Sequence, residues 1–385
     1  MPKPAPRAWQ REALEIWANA GHRGIISVVT GGGKTTFALS CIDRLRPQTT
    51  LVVVPTSALL DQWWEEAASY FELGIDEINV LTGSKKRIRE GTVNVAVLNT
   101  AATLAGRHDV PPTFLIVDEC HKAASEHFRS VLTLPKLGAL GLSATPERPY
   151  DEGLRDVLVP ALGDVIYRYD YAAALANHII VPFHLRNVVF ALEEDCQKEY
   201  DKLSGAIARS INRTGADSPE TVVLYLKRAR IMNLSPTRVR LALKLVASNP
   251  QKKIIVFHED IAACEIIHEV LISNGVESAI YHSKVPIRSR VQMLQSYRSG
   301  RLRVLVTCRA LDEGFNVPET DMGIIAASTA TRRQRIQRLG RVVRPAAGKD
   351  SAIIYTLVAT APEIARLKQE EADLEGVAEV QWSRA

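Results

Sequence analysis

Two short clusters in this chain carry residue types suited to phosphate chemistry. The first is Thr30-Gly31-Gly32-Gly33-Lys34-Thr35-Thr36, which comes after the apolar run Ile25–Val29 and opens a helix-like run. Its three glycines let the backbone curl and turn N–H groups toward phosphate oxygens. A helix N-terminus behind them adds partial positive charge. Lys34 is expected to reach the β- and γ-phosphates, and the Thr35 hydroxyl to ligate Mg²⁺. The strict form of this loop has glycine where Val28 stands, a change that shifts the subclass and leaves the chemistry intact. The second cluster is Asp118-Glu119-Cys120-His121, directly after the apolar run Phe114-Leu115-Ile116-Val117. A buried strand ending in two carboxylates sets them at the C-terminal edge of a sheet, where α/β proteins bind ligands. Asp118 is placed to hold Mg²⁺ and Glu119 to polarise the attacking water as general base. Taken alone, the first cluster could be a flexible turn with a chance lysine and the second a surface turn. Their joint presence in one strand-and-helix region argues for chemistry.

The elements that must position these clusters are legible as short apolar runs bounded by turn residues. Gly24–Val29, Leu51–Val54, Val93–Leu98, Phe114–Val117 and Leu137–Leu142 form one set. The pattern stops near Tyr167 and resumes at Lys253–Phe257, Ser278–Tyr281, Leu302–Thr307, Met322–Ala327 and Ala352–Val358. Strands alternating with amphipathic helices predict parallel sheets wrapped on both faces. This gives two α/β lobes, 1–182 and 183–385, with a helical insertion in the second at about 193–248. That insertion has a polar break at Asn212–Pro219 and a turn signal at Ser235-Pro236. Pro362–Gly376 reads as a charged surface helix.

Bulk properties bound the class. A chain of 385 residues suits two or three domains. With 46% hydrophobic and 24% charged residues it reads as a soluble globular protein, and its apolar runs are too short to span a membrane. The N-terminal stretch has no apolar secretory core. Five cysteines, Cys41, Cys120, Cys196, Cys264 and Cys308, form no CxxC pair, which predicts a reducing compartment: the cytoplasm, or the nucleoid in a bacterium. The net charge of +5 matters less than its distribution. No acid occurs from Thr221 to His258 or from Met322 to Lys349, and basic residues are frequent in both. Such stretches can neutralise a phosphate backbone. For the first, with Lys227, Arg228 and Arg230, a solvated helix face is an equal reading.

Further segments carry a family resemblance. The glycine-lysine loop, Asp-Glu-x-His and Ser143-Ala144-Thr145-Pro146 together resemble a superfamily-two DNA helicase or translocase of the DExH type. Arg7-Ala8-Trp9-Gln10-Arg11-Glu12-Ala13-Leu14 resembles its glutamine motif, which would put Trp9 and Gln10 at the adenine. Pro55-Thr56, Thr82-Gly83 and Asn99-Thr100 resemble motifs that touch the nucleic-acid backbone. In the second lobe Phe257-His258 resembles the end of the opening strand, where the resemblance implies contact with nucleic acid. Thr307, Gly314 and Asn316 fall in the motif that links DNA to ATP. Gln337-Arg338-Leu339-Gly340-Arg341-Val342-Val343-Arg344 resembles the arginine motif. The match runs over nearly the whole chain. Its flavour is that of the XPB-like, UvsW-like and type I and III restriction-translocase branch, including the 169–182 bridge between lobes.

The resemblance implies tandem RecA-like domains with ATP and Mg²⁺ as cofactors and DNA as the track. Gln337, Arg341 and Arg344 would act at the γ-phosphate, with Arg341 and Arg344 sharing a helix face away from the apolar stripe Ile336, Leu339 and Val343. Thr56, Thr100 and Thr307 would hold phosphates without reading sequence. His121, Ser143, Ala144 and Thr145 would relay the state of the acidic pair. Trp63 and Trp64 could stack on bases, although an aromatic in a helix is more often core. By residue type alone, His258 and His282 are ordinary strand-end polar groups.

Two departures are expected to matter. Asn316 replaces the family's aspartate at the ribose. No residues ahead of the glutamine motif form the damage-recognition domain of XPB-like enzymes and no Arg-Glu-Asp wedge is found, so translocation is expected before strand separation. Accessory proteins are expected partners, with repair, phage recombination and restriction as candidate settings. Two other readings stand beside this one: an RNA helicase, and a nucleic-acid-binding ATPase switch within a partner complex. A small-molecule phosphate-loop kinase would leave the second lobe unexplained.

Overall fold

The structure is a computed structural model and describes every residue except 1–4, 75–76, 147–151, 283, 309–319, 328–337, 339, 341 and 347. Most of the first compact unit is residues 1–177, and most of the second is residues 178–385. The division falls ahead of the boundary expected at 182. The Val181 N–H donates to the Val343 carbonyl (2.9 Å) and the Ala352 N–H to the Pro182 carbonyl (2.9 Å), which ties residues 181–182 to the second unit.

The first unit holds β1 (Arg23–Val28), β2 (Thr50–Val54), β3 (Asn79–Leu81), β4 (Val93–Val97), β5 (Thr113–Asp118), β6 (Lys136–Ser143) and β7 (Val165–Tyr169). Every pairing is parallel and the order is β3-β4-β2-β5-β6-β1-β7. β2 and β5 are buried along their whole length, because helices cover both faces. Ile25, Leu51, Val53, Leu115 and Val117 pack with Leu158 and Leu162 into one apolar cluster. Gly141 on β6 permits this closeness: a Cβ there would lie 2.9 Å from Ile25 Cγ1 and 3.2 Å from Cys120 Sγ.

The second unit holds β8 (Phe183–Val189), β9 (Ile254–His258), β10 (Ser278–Tyr281), β11 (Val304–Cys308), β12 (Met322–Ile325), β13 (Ala352–Val358) and β14 (Ala378–Arg384). Its sheet is again parallel, in the order β10-β11-β9-β12-β13-β8-β14. Numbered from its own first strand, that order repeats the first unit's. The expected insertion is three helices, Glu194–Thr214, Pro219–Asn233 and Pro236–Ala247, between β8 and β9. The charged tail helix, Ala361–Glu371, is more than a surface element, because Glu363, Leu367 and Glu370 are buried.

Candidate nucleotide site and nucleic-acid edge

The first unit's phosphate loop, acidic pair, Ser143-Ala144-Thr145 and backbone-contact motifs lie at the C-terminal ends of its strands. The loop after β1 requires its glycines. Gly31 and Gly33 adopt φ of 85° and 96°, which L side chains avoid. A Cβ on Gly32 would lie 2.4 Å from Val28 Cγ1 and 3.0 Å from the Val29 carbonyl. Gly33 begins the Lys34–Leu45 helix with no side-chain cap, so the first N–H groups face outward as an anion site. The Thr30 hydroxyl is buried with no hydrogen-bond partner among the described residues, which also suits a phosphate ligand. Lys34 Nζ donates to the Val28 carbonyl (3.3 Å) and lies 3.9 Å from Glu119 Oε1. Thr35 and Thr36 are half-buried on the first turn.

Gln10 braces this loop. Its Nε2 donates to the Gly33 carbonyl (3.0 Å), its Oε1 accepts from the Arg7 N–H (2.8 Å), and Arg7 Nη1 donates to the Gly32 carbonyl (2.9 Å). Trp9 is buried among Phe37, Tyr167 and Tyr169, with ring centroids 5.2–6.1 Å apart. Gln10 thus holds the phosphate loop, and Trp9 packs the glutamine-motif helix onto the sheet.

Asp118 closes β5 and is 4% exposed. Its Oδ2 accepts from Trp63 Nε1 (2.8 Å) and its Oδ1 from the Glu119 N–H (2.9 Å). Glu119 sits in the left-handed region, φ 46°, a strained backbone for a glutamate. His121, 1% exposed, has Nδ1 3.0 Å from Ser143 Oγ and 3.5 Å from Glu119 Oε2. Ser143 Oγ accepts from the Thr145 N–H (3.1 Å), with Ala144 half-buried between them. Ser143 Oγ therefore lies between His121 and Thr145 within hydrogen-bond distance of both. Among the described residues no group of three or more His, Cys, Asp or Glu could hold a metal. One carboxylate and one hydroxyl, Asp118 and Thr35, suit an ion whose other ligands are phosphate oxygens and water, as with Mg²⁺ on a nucleotide.

The nucleic-acid motifs continue along the same edge. They lie after β2 (Pro55, Thr56), β3 (Thr82, Gly83) and β4 (Asn99, Thr100), which are neighbours in the sheet. Thr56 caps the Ser57–Phe71 helix, its Oγ1 accepting from the Leu59 N–H (3.3 Å). Thr82 Oγ1 accepts from the Lys85 N–H (3.1 Å). Thr100 is buried and Asn99 exposed. The loop after β3 adds residues that no motif marks: Lys85, Lys86, Arg87 and Arg89. The fully buried Asn79 and Asn94 pin its backbone, donating to the Arg87 and Arg89 carbonyls (2.9 Å each). Four cations in five positions were the available signal.

Residues 3–148 match the family described as "Type III restriction enzyme, res subunit", and residues 237–346 match "Helicase conserved C-terminal domain". Together these two matches span about two-thirds of the chain. The chain belongs to the superfamily-two helicases. Among helicase relatives, "DNA 3'-5' translocase XPB2" of Sulfurisphaera tokodaii is 27% identical over 88% of this chain and 78% of its own length. "DNA 3'-5' helicase XPB" of Kineococcus radiotolerans is 25% identical over 92% of this chain, which spans 60% of that protein. Saccharomyces cerevisiae Dbp5, solved with RNA and ADP BeF3, superposes with a TM-score of 0.64 at 15% identity, covering 99% of this chain and 90% of Dbp5. That likeness shows the fold: tandem RecA-like domains.

In this helicase the second unit's motif residues are more enclosed than their expected role implied. Phe257 is 1% exposed beneath the Arg338 guanidinium, 5.3 Å from its ring. His258 is fully buried, its Nδ1 accepting from the Asp260 N–H (3.1 Å); burial, then the nearby Arg238, hold its pKa down at about 4. Thr307 is 1% exposed. All three side chains are buried, so the direct side-chain contact with nucleic acid expected of them is not available in this structure. Arg228 is also engaged internally, donating to Ser204 Oγ (3.1 Å) and lying over Tyr200 and Tyr225, whereas Lys227 and Arg230 are exposed. Arg338 is fully buried and pairs with Glu259 (2.6 Å). Arg344 is half-buried and its carbonyl accepts from Lys349 Nζ (2.9 Å). Gly314, Asn316, Gln337 and Arg341 lie outside the described residues.

Proposed function

We propose that this helicase is an ATP-driven DNA translocase. One observation carries the reading. Along the C-terminal edge of the first sheet, the backbone-contact motifs (β3, β4, β2), the acidic pair (β5), the relay (β6) and the phosphate loop (β1) succeed one another without interruption. The N–H groups at Gly31 to Lys34 bind the phosphates, and Lys34 leaves its resting contacts to join them. Glu119 accepts the proton of the attacking water. Mg²⁺, held by Thr35 and Asp118, would neutralise charge on the phosphate oxygens. Arg341 and Arg344 stabilise the charge that develops at the γ-phosphate, with Gln337 beside them in the motif. The polymer is assigned as DNA, and the direction as 3′ to 5′, on the likeness to the XPB-type relatives. Accessory proteins supply the choice of DNA structure, and the compartment is the cytoplasm.

The test is ATPase titration with single-stranded, duplex and forked DNA and with RNA at fixed salt, beside a strand-displacement assay. DNA should stimulate turnover and RNA should not. Preferential stimulation by RNA would make it an RNA helicase. Stimulation without movement would make it a switch within a complex. Arg344→Ala should cost about 10³-fold or more in kcat while nucleotide binding persists; unchanged turnover would remove this residue from the reaction.

A further inference from the structure

Trp63 lies in the Ser57–Phe71 helix, where aromatic residues usually serve the core, and it is indeed fully buried. Its indole nitrogen, however, has a specific partner. It donates to Asp118 Oδ2 (2.8 Å), while Oδ1 of the same carboxylate accepts from the Glu119 N–H (2.9 Å). Each oxygen of Asp118 is thus held by a donor, and one of those donors belongs to the residue that activates water. Glu119 is at φ 46°, a conformation that surrounding contacts must maintain.

The other end of that helix is Thr56, which caps its first turn. Trp63 lies about 10 Å along the helix from this cap. A helix is stiff over such a distance, and an enclosed indole cannot shift without pulling on its partner. We propose that Trp63 is a positioning residue that couples occupancy of the Thr56 end of the helix to the orientation of Asp118 and, through the shared N–H, to Glu119. The path is Thr56, helix, Trp63, Asp118, Glu119, and it lies entirely within the first unit. It rests on the reading that Thr56 touches nucleic acid and adds how that contact regulates the nucleotide site. Trp63 is therefore neither a base-stacking platform nor only core.

The variant is Trp63→Phe, which keeps a buried ring and deletes the N–H. Binding of a fluorescent ATP analogue, titrated with Mg²⁺, should show the half-saturating Mg²⁺ concentration raised about tenfold, the scale for loss of an outer-shell partner. At saturating Mg²⁺ the DNA stimulation of ATPase should fall at least fivefold, with DNA affinity by anisotropy unchanged. A core role alone would lower the melting temperature and move neither ratio, and that result overturns the proposal. Should the variant fail to fold, the wild-type protein still decides. The Trp63 indole N–H resonance, assigned by elimination against the other four tryptophans, should shift when DNA is added without nucleotide. An unmoved resonance in DNA-bound protein overturns the proposal. Wild-type protein that binds no DNA would sink the translocase reading itself, a separate outcome visible before any variant is made.

Discussion

The two sheets share one strand order, yet the chain leaves their first strands in entirely different ways. After β1 it makes a glycine loop and starts a helix whose first N–H groups have no side-chain cap. After β8 the corresponding crossover ends in the Pro236–Ala247 helix, and a carboxylate of the protein already occupies its N-terminus. Glu193 Oε1 accepts from the Thr237 N–H and hydroxyl (2.7 Å each), and Oε2 from the Ser235 hydroxyl (2.9 Å). These hydrogen bonds outweigh burial and hold the Glu193 pKa below its usual value. Arg238, fully buried on the same first turn, donates to the Met232, Ala326 and Leu357 carbonyls and pairs with Glu363 at 2.6 Å. A helix N-terminus favours an anion wherever it occurs. The first unit leaves that preference for a ligand, and the second satisfies it internally. The comparison teaches that fold alone does not make a nucleotide site. The deciding feature is whether the first crossover is filled.

The comparison can be broken at several points. Glu119→Gln should reduce kcat by roughly 10²–10⁴-fold with ATP and DNA binding retained, locating hydrolysis in the first unit. Near-normal turnover would place the base elsewhere. Arg238→Ala leaves Glu363 buried and unpaired, and should destabilise the second unit by about 3–5 kcal/mol in urea denaturation. Nucleotide affinity of the folded first unit should be unchanged, and a matching loss of ATP binding would refute the division of labour. His258 sharpens the contrast through pH. Its pKa is lowered from 6.5 to about 4 in the folded state, so below pH 6.5 the unfolded chain takes up a proton that the folded chain refuses. Stability should therefore decline as pH falls from 6.5 toward 4, by roughly 2–4 kcal/mol, and His258→Asn should flatten that decline. A parallel decline in the variant would assign the effect to other groups. The smallest effect is expected from the exposed pair Lys227 and Arg230. Neutralising both should lower the salt slope of DNA affinity by about 2, and an unchanged slope would leave the insertion a solvated face.

Much of the first unit was legible because the signals were local. β1, β2, β4, β5 and β6 are buried on both faces and read as apolar runs, and the phosphate loop and acidic pair are contiguous in sequence. The features that escaped were either amphipathic or distant. β14 lies at a sheet edge and alternates half-buried with exposed positions, so no apolar run marks it. β8 alternates buried with half-buried positions over its first half, with His184 and Arg186 breaking the apolar run. Trp63 is 55 residues from Asp118, and Gln10 is 23 from Gly33, so neither partnership appears in any short motif. Arg228 read as a candidate for a phosphate backbone because its partner Ser204 lies 24 residues away in the chain.

The pinned loop after β3 changes the energetics of meeting a polyanion. Flexible basic segments must surrender main-chain freedom when they engage, at about 1–2 kcal/mol for each residue fixed. Here the amides of Asn79 and Asn94 impose that order during folding, before any partner arrives. An anionic polymer reaching Lys85, Lys86 and Arg87 encounters cations on a rigid mount, and most of its electrostatic gain appears as affinity.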